Sequence, residues 1–196
     1  PLSYKSEGFY VENINELLET LHLEKNIKLE DIPNVDLYVD QVVQLFENTY
    51  ADTTRTDDEK VLTKTMINNY AKGKLFIPIK NKKYSKEHMI LISLIYQLKG
   101  ALSINDIKSS LETINDSLLN DDSFELNTLY KNYLALTESN VESFKQDVNN
   151  RVTEVNVISS LEDTKLEKFL LLTSFVTMSN MYRRLAEQLV DDLKES

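Results

Sequence analysis

Residues 60–108 read KVLTKTMINNYAKGKLFIPIKNKKYSKEHMILISLIYQLKGALSINDIK. This stretch holds ten lysines against Glu87 and Asp106, a charge of +8, and no acidic residue lies between 60 and 86. The rest of the chain carries 12 basic and 30 acidic side chains, or −18, so the overall charge of −10 conceals a basic stretch. Lysines interleaved with Asn, Thr and Tyr are typical of phosphate-binding surfaces, where ammonium groups displace counterions and short polar groups donate hydrogen bonds. Double-stranded DNA is therefore the expected partner.

The first part of this stretch predicts a short helix. Thr63 is a suitable N-cap for a helix that ends near Lys72. Three residues share one face of that helix and are expected to pack inward: Met66, Ile67 and Tyr70. The opposite face is polar and free to lie on DNA: Lys64, Thr65, Asn68 and Lys72.

The second part predicts a β wing followed by two helices. Residues 75–84 are β-branched and aromatic, contain Pro78 and end in a basic turn, so a hairpin or wing fits better than a helix. Ser85 is expected to cap the next helix, which ends near Gly100. Ser103 and Asp106 have the spacing of a capping box and open a further helix.

Upstream of the basic stretch, two amphipathic helices are predicted. The first covers 9–23, with an apolar stripe at Val11, Ile14, Leu17, Leu18 and Leu21. After the break at Pro33, Asp36 is expected to cap a second helix that ends near Asn48. Its stripe is Val39, Val42, Val43 and Phe46. The polar segment 49–59 is expected to be a mobile surface loop.

Downstream, an acidic turn is expected at 115–123, and two long helices follow. In the first helix, apolar residues repeat every seven positions from Leu134 to Val155. In the second, residues 169–176 are apolar nearly all round, more than one packed neighbour requires, so a second subunit is expected to cover the excess. The predicted dimer interface comprises Leu171, Phe175, Met178, Tyr182, Leu185 and Leu189.

Composition argues against several functional classes. The chain has 196 residues, 41% of them hydrophobic, but only three glycines and no cysteine, which favours helices and excludes glycine-rich phosphate loops and cysteine ligands or nucleophiles. His22 and His88 have no partners at metal-ligand spacing, and the paired carboxylates fall in turns or near a chain end. We therefore expect no enzyme, metal or cofactor. The absence of a long apolar run or a signal-like start predicts a cytoplasmic protein without a membrane segment.

The order helix, wing, helix, helix over 63–111 resembles the winged helix-turn-helix of MerR-type transcriptional regulators. In that family, a wing ending in tyrosine precedes a helix with regularly spaced Leu and Ile, and then a Ser-Leu-x-Glu-Ile-Lys-like helix start. Here Tyr84 is followed by Leu91, Ile95 and Leu98, and then by SINDIK at 103–108. The family's recognition helix typically reads Thr-Ile-Arg-Tyr-Tyr-Glu; residues 66–71 read MINNYA, which keeps the tyrosine at Tyr70 and places Asn68 where the arginine stands.

Segments 62–70, 83–88 and 102–108 are also similar to a family of Bacillota proteins of unassigned function that carry a MerR-like module. This resemblance covers about 29–119 and implies three parts: an N-terminal helix at 1–28, a MerR-like winged helix-turn-helix domain at 29–119 and a C-terminal helical dimerisation region at 120–196. The implied fold is all-α with a small β wing, followed by two long C-terminal helices. The segment 49–59 is longer than the turn of a compact helix-turn-helix.

Together, these features predict a homodimeric, sequence-specific transcriptional regulator that binds double-stranded DNA. Segment 63–72 is expected in the major groove, with Asn68 or Asn69 hydrogen-bonded to an adenine edge, and segment 80–84 on neighbouring phosphates. The candidate DNA-binding residues are Lys64, Thr65, Asn68, Asn69, Lys72, Lys74, Lys80, Asn81, Lys82, Lys83, Tyr84 and Lys86. Tyr70 and Tyr84 are expected mainly to pack in the core. The alternative function is a non-catalytic adaptor that docks acidic protein partners through the same lysines.

Overall fold

The computed structural model of the protein describes residues 7–158 and 164–195. These residues form seven α-helices and one two-stranded antiparallel sheet, which confirms the predicted mostly helical class with a small β element. In chain order the elements are α1 Glu7–Thr20, β1 Leu37–Tyr38, α2 Val39–Tyr50, α3 Lys64–Lys72, β2 Lys83–Tyr84, α4 Lys86–Leu98, α5 Ile104–Asn120, α6 Leu126–Ile158 and α7 Thr164–Glu195.

The chain forms two compact units. One comprises Pro1–Glu24 and Leu136–Tyr182, of which residues 1–6 and 159–163 lie outside the described residues. The other comprises Lys25–Ala135 and Arg183–Ser196 and contains the whole basic stretch. This packing groups the chain differently from the three parts expected from sequence, which remain a prediction about domains.

The sheet joins two segments that are distant in the chain. Strand β1 pairs with β2, with Leu37 opposite Tyr84 and Tyr38 opposite Lys83. Leu37 and Tyr84 are buried, whereas Tyr38 is exposed, as expected when successive side chains point to opposite faces. The predicted wing at 75–84 is thus an irregular segment, a tight turn at 80–83 and one strand paired mainly to β1.

Helix α2 begins and ends later than predicted. Asp36 is not its cap, because Leu37 and Tyr38 form β1 and the helix starts at Val39. The side-chain oxygen Oε1 of Gln41 accepts a hydrogen bond from the backbone N–H of Tyr38 at 2.9 Å. This bond satisfies one of the free N–H groups at the start of the helix. The predicted stripe is correct, since Val42 and Phe46 are fully buried and the other two residues pack against the same core.

Residues 49–59 do not form one loop. Thr49 and Tyr50 belong to α2, and Tyr50 is buried. A single 3-10 turn follows at Ala51–Thr53. Further on, the backbone N–H of Arg55 donates to the Glu59 carboxylate at 2.8 Å, so local hydrogen bonds shape the remaining segment.

Helix α5 is longer than predicted and contains most of the expected turn at 115–123. Ile114 and Leu118 pack against the core of this unit, which extends the apolar stripe by about one turn. The Asn115 amide donates to the carbonyl of Leu75 at 2.9 Å, so this polar side chain is held in place by a neighbouring segment. The turn is confined to the residues after Asn120, where Asp121 accepts from the Ser123 backbone N–H.

The core of the second unit surrounds α4. Five of its apolar residues are at most 1% exposed: Met89, Ile90, Leu91, Ile92 and Ile95. Near the start of α6, the Tyr130 hydroxyl donates to the Ile27 carbonyl at 2.6 Å, and burial raises the pKa of that tyrosine. Ser85 and Ser103 cap α4 and α5 as predicted, with each hydroxyl accepting a backbone N–H in the first turn.

The other unit contains α1 and most of α6. The predicted α1 stripe is only partly covered, since Leu18 is buried and Ile14 half-buried, but Leu17 and Leu21 are exposed. The side chain of Val11 lies outside the described residues. The two long C-terminal helices are confirmed, and Val148 and Val152 of α6 are buried. None of the helices among the described residues is long and apolar enough to cross a membrane.

Candidate nucleic-acid interface

Helix α3 presents a polar face to solvent. Thr63 caps it as predicted, with its hydroxyl accepting from the backbone N–H of Met66 at 3.2 Å. Ile67 and Tyr70 are buried and anchor the inner face. The exposed residues are Lys64, Thr65, Asn68, Asn69 and Lys72. The predicted inner and outer faces of this helix are therefore correct.

The end of α3 is held in an unusual way by a lysine. The backbone N–H of Leu75 donates to the carbonyl of Tyr70 at 3.0 Å and that of Lys74 to Ala71 at 3.1 Å, the two hydrogen bonds of a Schellman motif. The left-handed position of this motif is usually glycine. Here it is Lys74, with φ 56°, while Gly73 precedes it with φ −73°. A β-carbon on Gly73 would lie 2.8 Å from Cδ1 of Leu75, so a side chain there would displace this buried leucine.

Two consecutive left-handed residues form the tip of the turn before β2. Asn81 has φ 52° and Lys82 has φ 57°, and the Lys83 backbone N–H donates to the carbonyl of Lys80 at 2.9 Å. Two consecutive positive φ values are the pattern of a type I′ hairpin turn, in which Asn-Gly is the preferred pair. Asparagine suits its position, but Lys82 occupies the place of the glycine. The turn therefore projects exposed Lys80, Asn81 and Lys82 into solvent.

Two contacts link the start of α3 to this turn through β1 and α2. Lys64 forms an ion pair with Asp40 in the first turn of α2. Two residues earlier in the chain, the ring of Tyr38 lies 5.1 Å from the ammonium of Lys83. Tyr38 is 53% exposed. The structure thus brings together Lys64, Asp40, Tyr38 and Lys83.

Tyr38 and Asp40 were not among the residues identified from sequence. Strand β1 has two residues, which is too short for an alternating pattern to reveal. Asp40 was assigned only to a helix interior. The available signal was a carboxylate about one turn after the predicted cap Asp36, where it favours the positive end of the helix and can meet a lysine from a neighbouring helix.

Tyr84 does not belong to the surface. Its side chain is 2% exposed, and its ring packs edge-to-face on Phe76 and His88, with centroid distances of 6.1 and 5.8 Å. Burial raises the pKa of its hydroxyl. Tyr84 is therefore removed from the candidate DNA-binding residues, and its role is to fix the base of the turn.

His88 fastens the same region from α4. Its Nδ1 accepts from the Ser85 backbone N–H at 3.0 Å, and its Nε2 lies 2.9 Å from the Ile77 carbonyl. Nδ1 must be unprotonated to accept, so the ring is neutral and Nε2 donates to Ile77. Burial lowers the pKa of His88. The hydrogen bonds to Ile77 and Pro78 and the charges of Glu87 and Asp36 raise this pKa, but by less than burial lowers it.

The remaining lysines of the basic stretch are distributed elsewhere. Lys86, the last candidate, is half-buried and lines a small polar cleft with Asn34 and Lys131. Lys99 donates to the Val61 carbonyl at 3.1 Å with its ammonium 4.7 Å from the Tyr96 ring, and burial lowers its pKa. Lys108 lines a separate cleft beside α5. The +8 charge counted along the sequence is thus not one surface.

Most of the candidate lysines form no ion pair with a described carboxylate. Within residues 7–158 and 164–195, Lys64 is paired, but no carboxylate forms an ion pair with these lysines: Lys72, Lys74, Lys80, Lys82 and Lys83. Unneutralised lysines remain available for phosphates.

The predicted dimer residues on α7 fall into two groups. Leu171 is 6% exposed, and Phe175 and Met178 are half-buried, so these three side chains are already covered within the chain. Three others on the same stripe are exposed: Tyr182 at 69%, Leu185 at 62% and Leu189 at 57%. Only this second group is available to a second subunit.

In the described part of the chain, no group of three or more His, Cys, Asp or Glu side chains is arranged to hold a metal ion. A family model described as "Domain of unknown function (DUF1836)" matches residues 27–133, which is more than half of the chain. No curated protein and no solved structure shows significant similarity to this chain.

Proposed function

We propose a DNA-binding regulatory function for this chain, which belongs to the DUF1836 family. The protein is a sequence-specific regulator that binds double-stranded DNA as a homodimer. Its DNA-binding domain is a MerR-like winged helix-turn-helix module. Helix α3 enters the major groove, and the turn at 80–83 lies on adjacent phosphates.

The observation that carries this proposal is the placement of two lysines at positions that favour glycine. Lys74 and Lys82 each adopt a left-handed backbone, which costs a non-glycine residue about 1–2 kcal/mol. Strained positions concentrate at functional sites, because function rather than stability selects the residue there. Both lysines are exposed, Lys74 directly after α3 and Lys82 in the turn at 80–83, and their charge is what a phosphate requires.

Base reading is assigned to α3. Asn68 and Asn69 are exposed on its outer face, and an asparagine amide can bind the N6 and N7 edge of adenine with two hydrogen bonds. Lys72, Lys80, Lys82 and Lys83 contact phosphates and orient the module without reading sequence, while Lys64 is held by Asp40. The phenol of Tyr38 also contacts a phosphate.

The homodimer follows from the exposed stripe on α7. Tyr182, Leu185 and Leu189 continue the four- and three-residue spacing of Leu171, Phe175 and Met178, which are covered within the chain. A second copy presents the same stripe and satisfies the same spacing, as in a two-fold interface. Pairing two modules reads two half-sites one or more helical turns apart, which sums their binding free energies.

The test begins with selection of bound sequences from random duplexes. A preferred site with two related halves is expected. Replacing Asn68 or Asn69 with alanine should relax the preference at one base pair per half-site, at a cost of about 1–3 kcal/mol. Recovery of no preferred sequence, or equal weakening on every duplex, would contradict base reading by α3.

A further inference from the structure

A cleft of about 810 Å³, here called the α5 cleft, lies beside the end of α3 and the segment leading to the turn at 80–83. Volumes of this size are typical of sites for small organic molecules. Its apolar lining comes from Ala71, Phe76, Ile77, Pro78, Ile79 and Leu119. Its polar lining comes from Lys74, Lys108, Ser109, Glu112, Asn115 and Asp116.

One face of α5 supplies half of this lining. Lys108, Glu112, Asp116 and Leu119 follow one another at four-, four- and three-residue intervals, so they lie along one side of the helix. At 1.5 Å per residue, this row is about 16 Å long. It runs from a cation through two carboxylates to an exposed apolar side chain.

The wall opposite this row is fixed to it by a hydrogen bond. Asn115 donates to the carbonyl of Leu75 at 2.9 Å, directly after Lys74 in the chain. The other amide atom of Asn115, Oδ1, is buried without a hydrogen-bond partner among the described residues. The cleft is therefore already formed in the protein without a ligand, which lowers the cost of ordering it on binding.

The charged groups of the α5 cleft do not form ion pairs with one another. It contains two lysines and two carboxylates, yet within the described residues Lys74, Lys108, Glu112 and Asp116 take part in no ion pair. Groups of both signs thus face the same partly apolar space. A nucleic acid would be repelled by Glu112 and Asp116, and a fatty anion or a simple cation would satisfy only one pair.

We propose that the α5 cleft binds a small zwitterionic amphiphile. Glu112 and Asp116 bind its ammonium group, Lys108 at the end of the row binds its acid group, and Leu119 with the apolar wall covers its apolar part. This site lies outside the residues assigned to DNA, except for Lys74. Its existence does not depend on the DNA-binding proposal.

The test compares three probes that share a decyl tail and differ in head group: decyl sulfobetaine, decyl sulfate and decyltrimethylammonium. Each is titrated by calorimetry into the full chain without DNA, below its micelle concentration. We expect one sulfobetaine per chain, bound about tenfold or more tightly than either singly charged probe. Equal affinities for the three, or no saturable binding, would overturn the proposal.

Charge variants assign the heads to their partners. The double variant Glu112→Gln with Asp116→Asn should weaken sulfobetaine about tenfold and strengthen decyl sulfate. The variant Lys108→Gln should weaken both of these probes and strengthen decyltrimethylammonium, because a repelling charge is removed. The control Glu138→Gln with Glu142→Gln makes the same charge change on exposed positions of α6 and should alter nothing. Sulfobetaine binding that both cleft variants leave unchanged, with the fold intact by circular dichroism, would place the probe elsewhere. If one cleft variant does not fold, the other decides.

Discussion

The ammonium group of Lys83 lies 5.1 Å from the ring centroid of Tyr38, its partner in the antiparallel register. Tyr38 is followed two residues later by Asp40, which forms an ion pair with Lys64 at the start of α3. A two-residue strand therefore aligns the turn at 80–83 with the helix proposed to read DNA. The same arrangement places one carboxylate among the lysines.

Removing that carboxylate should strengthen DNA binding. In Asp40→Asn, Lys64 is released to meet a phosphate, and an exposed ion pair worth at most about 1 kcal/mol is lost, so affinity should rise by up to about fivefold. The slope of log affinity against log salt should steepen by about 0.9. Fluorescence anisotropy measures both. Glu142→Gln, on an exposed position of α6, is the control for the change in net charge, and an equal gain there would show that Asp40 has no local effect.

Replacing Lys82 with glycine should change stability and DNA affinity in opposite directions. Glycine adopts the φ of 57° without steric cost, so the free energy of unfolding should rise by about 1 kcal/mol in urea titrations. Loss of the ammonium should weaken binding to every duplex. Lys80→Gln removes a neighbouring charge without relieving the backbone and should weaken DNA without stabilising the fold. A Lys82→Gly protein that binds DNA normally would show that the strained lysine serves no phosphate.

The helices were predictable because their signals are local. Ser85 and Ser103 cap where expected, and Ile67 and Tyr70 anchor the inner face of α3, since a cap and a 3.6-residue period are written in neighbouring residues. The same is true of the two long C-terminal helices.

The sequence predictions were wrong where tertiary contacts determine the local structure. Asp36 was a good cap by type, but pairing of Leu37 with Tyr84 makes this segment a strand. Helix α5 continues past Asn115, whose amide NH2 group donates to the Leu75 carbonyl, 40 residues away in sequence. Lys99 and Lys108 counted as basic surface, yet one packs over Tyr96 and the other lines a cleft, and neither position can be read from charge alone.

His88 should make stability depend on pH. Burial lowers its pKa below the ordinary value of 6.5, so between the two values the unfolded chain binds a proton that the folded protein does not. Its stabilising contribution is fully present above about pH 6.5 and is lost as the pH falls through 6.5 towards the folded pKa.

The matched variant for this prediction is His88→Gln. Glutamine at this position can accept from the Ser85 N–H, as in a capping box, but does not titrate. The wild type should lose more unfolding free energy than the variant between about pH 7.5 and about pH 5.5 in urea titrations. Parallel curves for the two proteins would mean that His88 is not held neutral by its two hydrogen bonds.

The exposed stripe of α7 should form the dimer. Changing Tyr182 and Leu185 to Asp should give a folded monomer by sedimentation, with an unfolding free energy altered by no more than about 0.5 kcal/mol in the monomer, because both side chains are exposed in the single chain. DNA affinity should fall with dimerisation. The control changes Leu172 and Val176 to Asp; these are also exposed on α7, but lie about 100° around the helix from the stripe, so the dimer should persist. A dimer disrupted only by the control would move the interface to that side.

The most direct test of the account is the salt dependence of duplex binding for the wild type and for Lys82→Gln with Lys83→Gln. Between about 50 mM and about 200 mM salt, wild-type affinity should fall steeply, and the double variant should reduce the slope of log affinity against log salt by about two. Replacing Lys131 and Lys168 with Gln should leave the slope unchanged, because both lysines are exposed outside the proposed surface. A wild-type affinity that is nearly independent of salt, or a slope that the Lys82 and Lys83 changes do not alter, would contradict DNA binding by this surface and favour the adaptor that docks acidic proteins.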